Sequence, residues 1–207
     1  MKTPKVSVII PVFNKQKFIG RCLRSIFNQT LDATEYEVVV VDDGSTDHSV
    51  EVINGFSNSL NLIKHKKNKG LPSALNTGIR AAKGQFIVRM DADDYVHSEY
   101  LNILSLALRM DNKIDAVACD YTLVDDKQNQ IINVNCLDKP IGCAIMYRIE
   151  QLISLGLYDE NFLVHEEKTS NRLSTYNCLF IFIYFLLILY FRHFCALKKR
   201  KPSYPII

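Results

Sequence analysis

The feature that most narrows the folds open to this chain is a repeated change of period in its first half. VSVII (residues 6–10), EVVVV (37–41), NLI (61–63) and FIV (86–88) are short, nearly unbroken runs of aliphatic and β-branched residues. A strand with one wet face alternates apolar and polar side chains. Runs without that alternation suit parallel strands covered by helices on both faces. Between the runs, apolar residues recur at helical spacing. Phe18, Ile19, Cys22, Leu23, Ile26 and Phe27 share one face, and Ser45, Thr46 or Asp47 offers an N-cap to a segment carrying Val50 and Ile53. Pro72 suits the first position of a helix carrying Ala74, Leu75, Gly78, Ile79 and Ala82, with Gly84 at its end. Strand alternating with helix predicts an α/β fold: a doubly wound, mostly parallel, Rossmann-like sheet with right-handed crossovers.

Such sheets bind ligands beyond the carboxyl ends of their strands, where this chain concentrates its acids. Asp42 and Asp43 follow the second run; Asp91, Asp93 and Asp94 follow the fourth, in FIVRMDADDY. Three carboxylates in four residues repel one another unless something neutralises them. A D-x-D pair at a strand end holds a divalent cation directly or through its water shell, and Mg2+ and Mn2+ keep open positions for substrate phosphates. Such a cation screens a diphosphate and stabilises its departure. An EF-hand is excluded, because Tyr95, Val96 and Asn102 stand where it needs an oxygen ligand, Gly and Glu. An aspartyl-phosphate enzyme would carry D-x-D-x-T on its first strand. The plain alternative, capping of a helix starting near Ser98, accounts for one carboxylate of the three. No P-loop and no G-x-G-x-x-G occurs. In VVVVDDGSTD, Gly44 permits a tight turn, and Asp43 can accept a hydrogen bond from a uracil imide or a ribose hydroxyl. The same stretch also reads as an ordinary strand–turn–helix connection.

Charge and cysteine usage exclude other classes. The 207 residues carry a formal net charge of +3, but Arg192, Lys198, Lys199, Arg200 and Lys201 crowd the last sixteen positions and the remainder stands at −2. This is no nucleic-acid-binding domain. The six cysteines form no C-x-x-C and no zinc-finger spacing, which points to a reduced, cytoplasmic protein. MKTPKVSVII does not read as a secretion signal, since Pro11, Asn14 and Lys15 interrupt the apolar run.

After Asp111 the pattern changes. AVACDYTLVDD and QIINV predict an antiparallel pair joined through 125–129; CAIMYR, a helix over 149–155 and Gly156 follow. The last segment, 168–207, is atypical. Its apolar run 178–191 is shorter than the roughly 20 residues a spanning helix needs. Three readings compete: a membrane span, an interfacial contact through 178–201 with basic residues at anionic headgroups, or sequence foreign to the preceding domain, as after a frameshift or truncation.

Taken together, VSVIIPVFNK, VVVVDDGSTD, NKGLPSALNTGIRAAKGQFIVRMDADD and IGCAIMYRIEQLISLGLYDENFLVHEE resemble the family 2 glycosyltransferases, of GT-A fold, over residues 5–167. The resemblance implies transfer of a sugar from a nucleotide-diphosphate donor, a UDP-sugar first among the candidates, to an acceptor hydroxyl with inversion. It implies a nucleotide-sugar-binding half (1–95) and an acceptor-side half (96–167) with a small antiparallel part. Pro11 and Phe13 would line the nucleoside pocket. Asp43 would bind the base, with Asp42 assisting or fixing the turn. Asp91 would hold ribose or metal-bound water, and Asp93 would ligate Mn2+ or Mg2+ directly, with Asp94 structural or behind the ligands. Asn76 and Arg89 would lie near the donor, Arg89 pairing with the carboxylates. Glu167 matches the family's catalytic base, with Glu in place of the usual Asp; Glu166 is the fallback and His165 a neighbour.

The family's setting implies a glycan or lipid-linked acceptor in surface polysaccharide or lipopolysaccharide assembly, at the cytoplasmic face of the membrane. Processive synthesis is not implied, because Q-x-x-R-W is missing and the chain has no tryptophan. A sugar nucleotidyltransferase would carry a Gly- and Arg-rich loop where PVFNKQKF stands. The second hypothesis is a catalytically impaired remnant that binds nucleotide sugar but lacks a complete acceptor site.

Overall fold

The computed structural model describes residues 3–125, 127–154 and 156–160, and the backbone of 173–176. Its main sheet has six strands in the order β3-β2-β1-β4-β9-β6. Strands β1 (Val6–Val12), β2 (Tyr36–Asp42), β3 (Asn61–Lys64) and β4 (Phe86–Arg89) run parallel, and β9 (Ile145–Arg148) and β6 (Ala116–Ala118) complete it antiparallel. The four apolar runs are these four parallel strands, each extended by one or two residues.

Their continuity follows from cover on both faces. Val6, Val8 and Ile10 of β1 point into a core shared with Ile19, Cys22, Leu23 and Ile26 of α1 (Ile19–Phe27), Ile53 of α2 (Ser49–Asn54) and Leu101, Leu104 and Leu108 of α4 (Tyr100–Met110). Ile9, between them, points the other way with Val39, Val41 and Ile87, against Ala74, Leu75 and Ile79 of α3 (Leu71–Ala81). The period of two survives, but both phases are apolar because both faces are buried. Helix α3 comes unusually close: a Cβ on Gly78 would lie 2.4 Å from Ile9 Cγ2.

The helix ends depart slightly from expectation. Pro72 is the second residue of α3, still in the first turn where its missing N–H is no loss. Gly84 does not end that helix, which stops at Ala81. It instead lies against Ser7, whose Oγ accepts its N–H at 2.8 Å. None of the three proposed caps holds the N-cap of α2, which is His48 without a side-chain cap; Asp47, one residue earlier, accepts the Ser49 N–H at 2.9 Å.

A smaller sheet, in the order β5-β10-β7-β8, joins β5 (Tyr95–Val96), β10 (Leu173–Tyr176), β7 (Tyr121–Val124) and β8 (Gln130–Val134). The predicted antiparallel pair is β7 and β8. Its turn is tied by Asp125, whose carboxylate accepts the N–H groups of Lys127 and Asn129. Strand β9 runs into α5 (Ile149–Ser154), and Gly156 follows at φ +90°. No helix among the described residues is long and apolar enough to cross a membrane; segment 178–201 lies outside them.

Candidate donor-binding edge

Parallel register decides where the acids emerge. Val12 sits opposite Asp42, and Ile9 opposite Arg89, so the ends of β1, β2 and β4 open on one edge. Pro11 is the next-to-last residue of β1, opposite Val41, and Phe13 lies just beyond the strand, 37% exposed. The loops after β1 and β2 are stitched together: Asn14, at φ +53°, donates its N–H to Ser45 Oγ and accepts the Thr46 N–H at 2.8 Å. Gly44, at φ +77°, faces the backbone of Lys67, where a Cβ would approach to 2.7 Å.

Asp42 and Asp43 are both buried. Asp42 Oδ1 accepts the Ser45 N–H at 3.3 Å, a turn-fixing contact. Asp43 has a full set of internal partners: the N–H groups of Lys69 and Gly70, and His65 Nδ1 at 2.6 Å. Because a carboxylate only accepts, His65 Nδ1 carries the proton, while its Nε2 meets Thr77 Oγ1 at 3.0 Å. The side chain of Asp43 is only 5% exposed. Sequence reasoning pointed this carboxylate at a base; the structure turns it towards the loop after β3.

The D-x-D acids differ. Arg89 grips Asp91 bidentately, Nε to Oδ1 at 2.7 Å and Nη2 to Oδ2 at 3.1 Å. Lys15 Nζ reaches Asp93 Oδ2 at 2.7 Å, and Arg21 Nη2 donates to the Asp93 carbonyl at 2.9 Å. Asp91 and Asp93 nevertheless keep 27% and 30% of their side-chain surface exposed. Asp94 is buried against Cys143 Sγ at 3.5 Å. The acids do not cap α4, which starts at Tyr100 without a side-chain cap. One ligand atom each from Asp91, Asp94 and Cys143 fall within 4.8 Å of one another. Carboxylate oxygens on a half-open loop fit a hard divalent cation by donor chemistry. The thiol does not, and the buried environment together with the nearby Asp charges pushes the neighbouring Cys22 thiol well up.

Asn76 is committed elsewhere. Its amide donates to the Tyr158 carbonyl and to Glu160, and its Oδ1 accepts the Tyr158 N–H at 3.0 Å. It fastens segment 158–160 to α3, a scaffolding contact where a donor contact was expected. Glu160 is held below the usual carboxylate range, chiefly by that amide. His165, Glu166 and Glu167 lie outside the described residues. Lys15, His65, Cys143 and Tyr158 were not singled out from sequence. Of these, His65 had the available signal of standing directly after a strand, and Lys15 of lying three residues past one.

The family model for Glycosyl transferase family 2 matches residues 7–169. The chain belongs to glycosyltransferase family 2. This family 2 chain is 41% identical over 101 residues to the poly(ribitol-phosphate) beta-glucosyltransferase of Bacillus spizizenii, covering 47% of its own length and 16% of that enzyme's. Among solved structures, it resembles Staphylococcus aureus TarS 1–349 in complex with UDP-GlcNAc, with TM-score 0.62 and 26% identity over 74% of this chain and 48% of that one. It also resembles the mannosyltransferase PcManGT of Pyrobaculum calidifontis in complex with GDP-Man and Mn2+, with TM-score 0.64 and 26% identity over 78% of this chain and 49% of that one. The family 2 chain thus spans about half or less of the relatives it matches, and its fold is GT-A-like.

Proposed function

We propose that this chain is an inverting glycosyltransferase that takes a sugar from a nucleoside-diphosphate donor, a UDP-sugar, at the carboxyl edge of β1, β2 and β4. One observation carries the reading. Two partly exposed carboxylates, Asp91 and Asp93, stand on the edge that also presents Pro11 and Phe13, paired with Arg89 and Lys15 respectively. The solved relatives hold UDP-GlcNAc in one case and GDP-Man with Mn2+ in the other.

Asp93, with Asp91 beside it, would hold Mn2+ or Mg2+, which supplies charge neutralisation of the donor diphosphate. Phe13 and Pro11 offer the nucleoside an apolar wall, and Asp42 with Gly44 sets the turn beneath it. Asp43 acts through the loop 65–70, which it ties down; it also remains the candidate for the base should that loop move. Lys15 and Arg89, released from the acids, supply positive charge beside a diphosphate. Glu167, or Glu166, takes the acceptor proton on the face opposite the leaving group. The acceptor is a glycan or lipid-linked hydroxyl in surface polysaccharide assembly, at the cytoplasmic face of the membrane with residues 178–201 in contact.

Titration of UDP with and without Mn2+, followed by turnover across a UDP-sugar panel, tests this. Metal-dependent binding lost in Asp93→Ala and turnover lost in Glu167→Gln are expected. Unchanged nucleotide affinity in Asp93→Ala would remove the metal assignment. Binding without any turnover would favour the donor-binding remnant.

A further inference from the structure

An open cleft lies between α1 and β5. It encloses ≈ 510 Å³ and is lined by Arg21, Arg24, Ser25, Asn28, Tyr95 and Val96. Two of these are guanidinium groups and none is a carboxylate. Arg21 and Arg24 stand three residues apart on α1, a spacing that puts them on one helix face. Like charges so placed repel, and among the described residues neither forms an ion pair with Asp or Glu.

Arg21 is held firmly. Its Nη2 donates to the Asp93 carbonyl, and its Cζ lies 4.4 Å from the centre of the Tyr95 ring. Its Nε is buried without a hydrogen-bond partner, an uncommon arrangement for which a bound water or ion nearby is one explanation. The Ser25 hydroxyl is already engaged, donating to the Cys22 carbonyl and accepting the Val96 N–H. The free donors around the cleft therefore belong to the two arginines, the Asn28 amide and the Tyr95 hydroxyl.

We propose that this cleft binds a phosphate-type oxyanion, gripped by the Arg21 and Arg24 guanidinium groups with the Asn28 amide at its rim, separate from the donor edge. Planar guanidinium donors match phosphate oxygens geometrically and keep their charge at every working pH. Tyr95 forms an aromatic floor that holds Arg21 in place, so the site is preorganised on a helix and a strand. Arg21 also touches the D-x-D backbone, which puts the occupant one side chain from the donor's metal site. The oxyanion could come from a soluble phosphate ester or from an anionic lipid headgroup; the chemistry read by the arginines is the same.

The test uses the full chain with EDTA, so that no cation bridges phosphate to Asp91 or Asp93. Line broadening of inorganic phosphate in phosphorus NMR reports the soluble source; cosedimentation with phosphatidylglycerol vesicles reports the membrane source. Arg24→Glu, at an exposed helix position, should weaken whichever probe binds by at least about tenfold, as reversal of one charged hydrogen-bonding partner does. Arg21→Lys, which keeps charge but loses the fork, should weaken it as well. Asp93→Ala retains the backbone carbonyl that Arg21 meets and removes a nearby negative charge, so it should not weaken binding. Binding that survives Arg24→Glu, binding lost in Asp93→Ala, or failure of both probes overturns the proposal.

Discussion

The two acidic groups at the carboxyl edge look alike in sequence and live in different surroundings. Asp43 is buried and accepts hydrogen bonds from the backbone of Lys69 and Gly70 and from His65. Asp93 is half-exposed on a loop and meets one flexible lysine. A carboxylate of the first kind holds loops in place, and removing it strands buried donors. One of the second kind can exchange its partner for a ligand at small cost. Strand-end acids therefore divide into scaffold and reactive groups by how many fixed N–H groups point at them, which their spacing along the chain does not reveal.

That division can be broken by mutation, and the largest effect is expected at Asp43. Asp43→Ala leaves the Lys69 N–H and the His65 imidazole without their acceptor, while the Gly70 N–H keeps Asn68 Oδ1, and at roughly 1–3 kcal/mol for each stranded group should cost about 2–5 kcal/mol in urea denaturation. A loss below about 1 kcal/mol would show that the loop does not depend on it. Gly44→Ala comes next. The backbone there is left-handed, and the new Cβ would sit 2.7 Å from Lys67 backbone, so about 2 kcal/mol should be lost. Asn76→Ala removes a buried amide that ties Tyr158 and Glu160 to α3. Its cost should be about 1–2 kcal/mol, seen also as faster amide exchange at Tyr158.

Asp93→Ala sharpens the contrast from the other side. Its ion pair with Lys15 is partly solvated, so thermal stability should change by under about 1 kcal/mol, while Mn2+-dependent UDP affinity drops by at least about tenfold. A variant that unfolds instead would place Asp93 with the scaffold acids. The smallest effect concerns two buried thiols, one of them beside the D-x-D acids. Burial pushes Cys22 well up, with Asp94, Asp91 and Asp93 adding to it, and burial with Asp120 pushes Cys136 to about 12. A thiol with a raised pKa stays protonated as pH climbs, so neither should react with iodoacetamide at about pH 8 until the chain unfolds.

Much of the frame was legible because it rests on local pattern. The parallel strands announced themselves by apolar runs with no wet phase, and the β7–β8 hairpin by a polar turn between two short runs. The family motifs carried the likeness to glycosyltransferase family 2, which the matched residues 7–169 bear out. Individual partners were less legible. Lys15 lies 78 residues from Asp93, and His65 lies 22 from Asp43; each pairing exists because strand register delivers both loops to one edge. The family resemblance placed Asn76 near the donor, but its contacts with Tyr158 and Glu160, 82 and 84 residues away, follow from no local pattern. Gly84 was read as a helix stop, yet its role is to let the chain pass close to Ser7.

By itself, the sequence determined which stretches become buried strands, where each strand must end, and that the acids lie at those ends, because hydrophobic burial and turn chemistry act over a few residues. Only the tertiary structure decided which of those acids are enclosed by backbone N–H groups and which face outward with a replaceable cation. That choice depends on loops brought together from distant parts of the chain, where hydrogen-bond geometry is set by the sheet's register and by no local pattern.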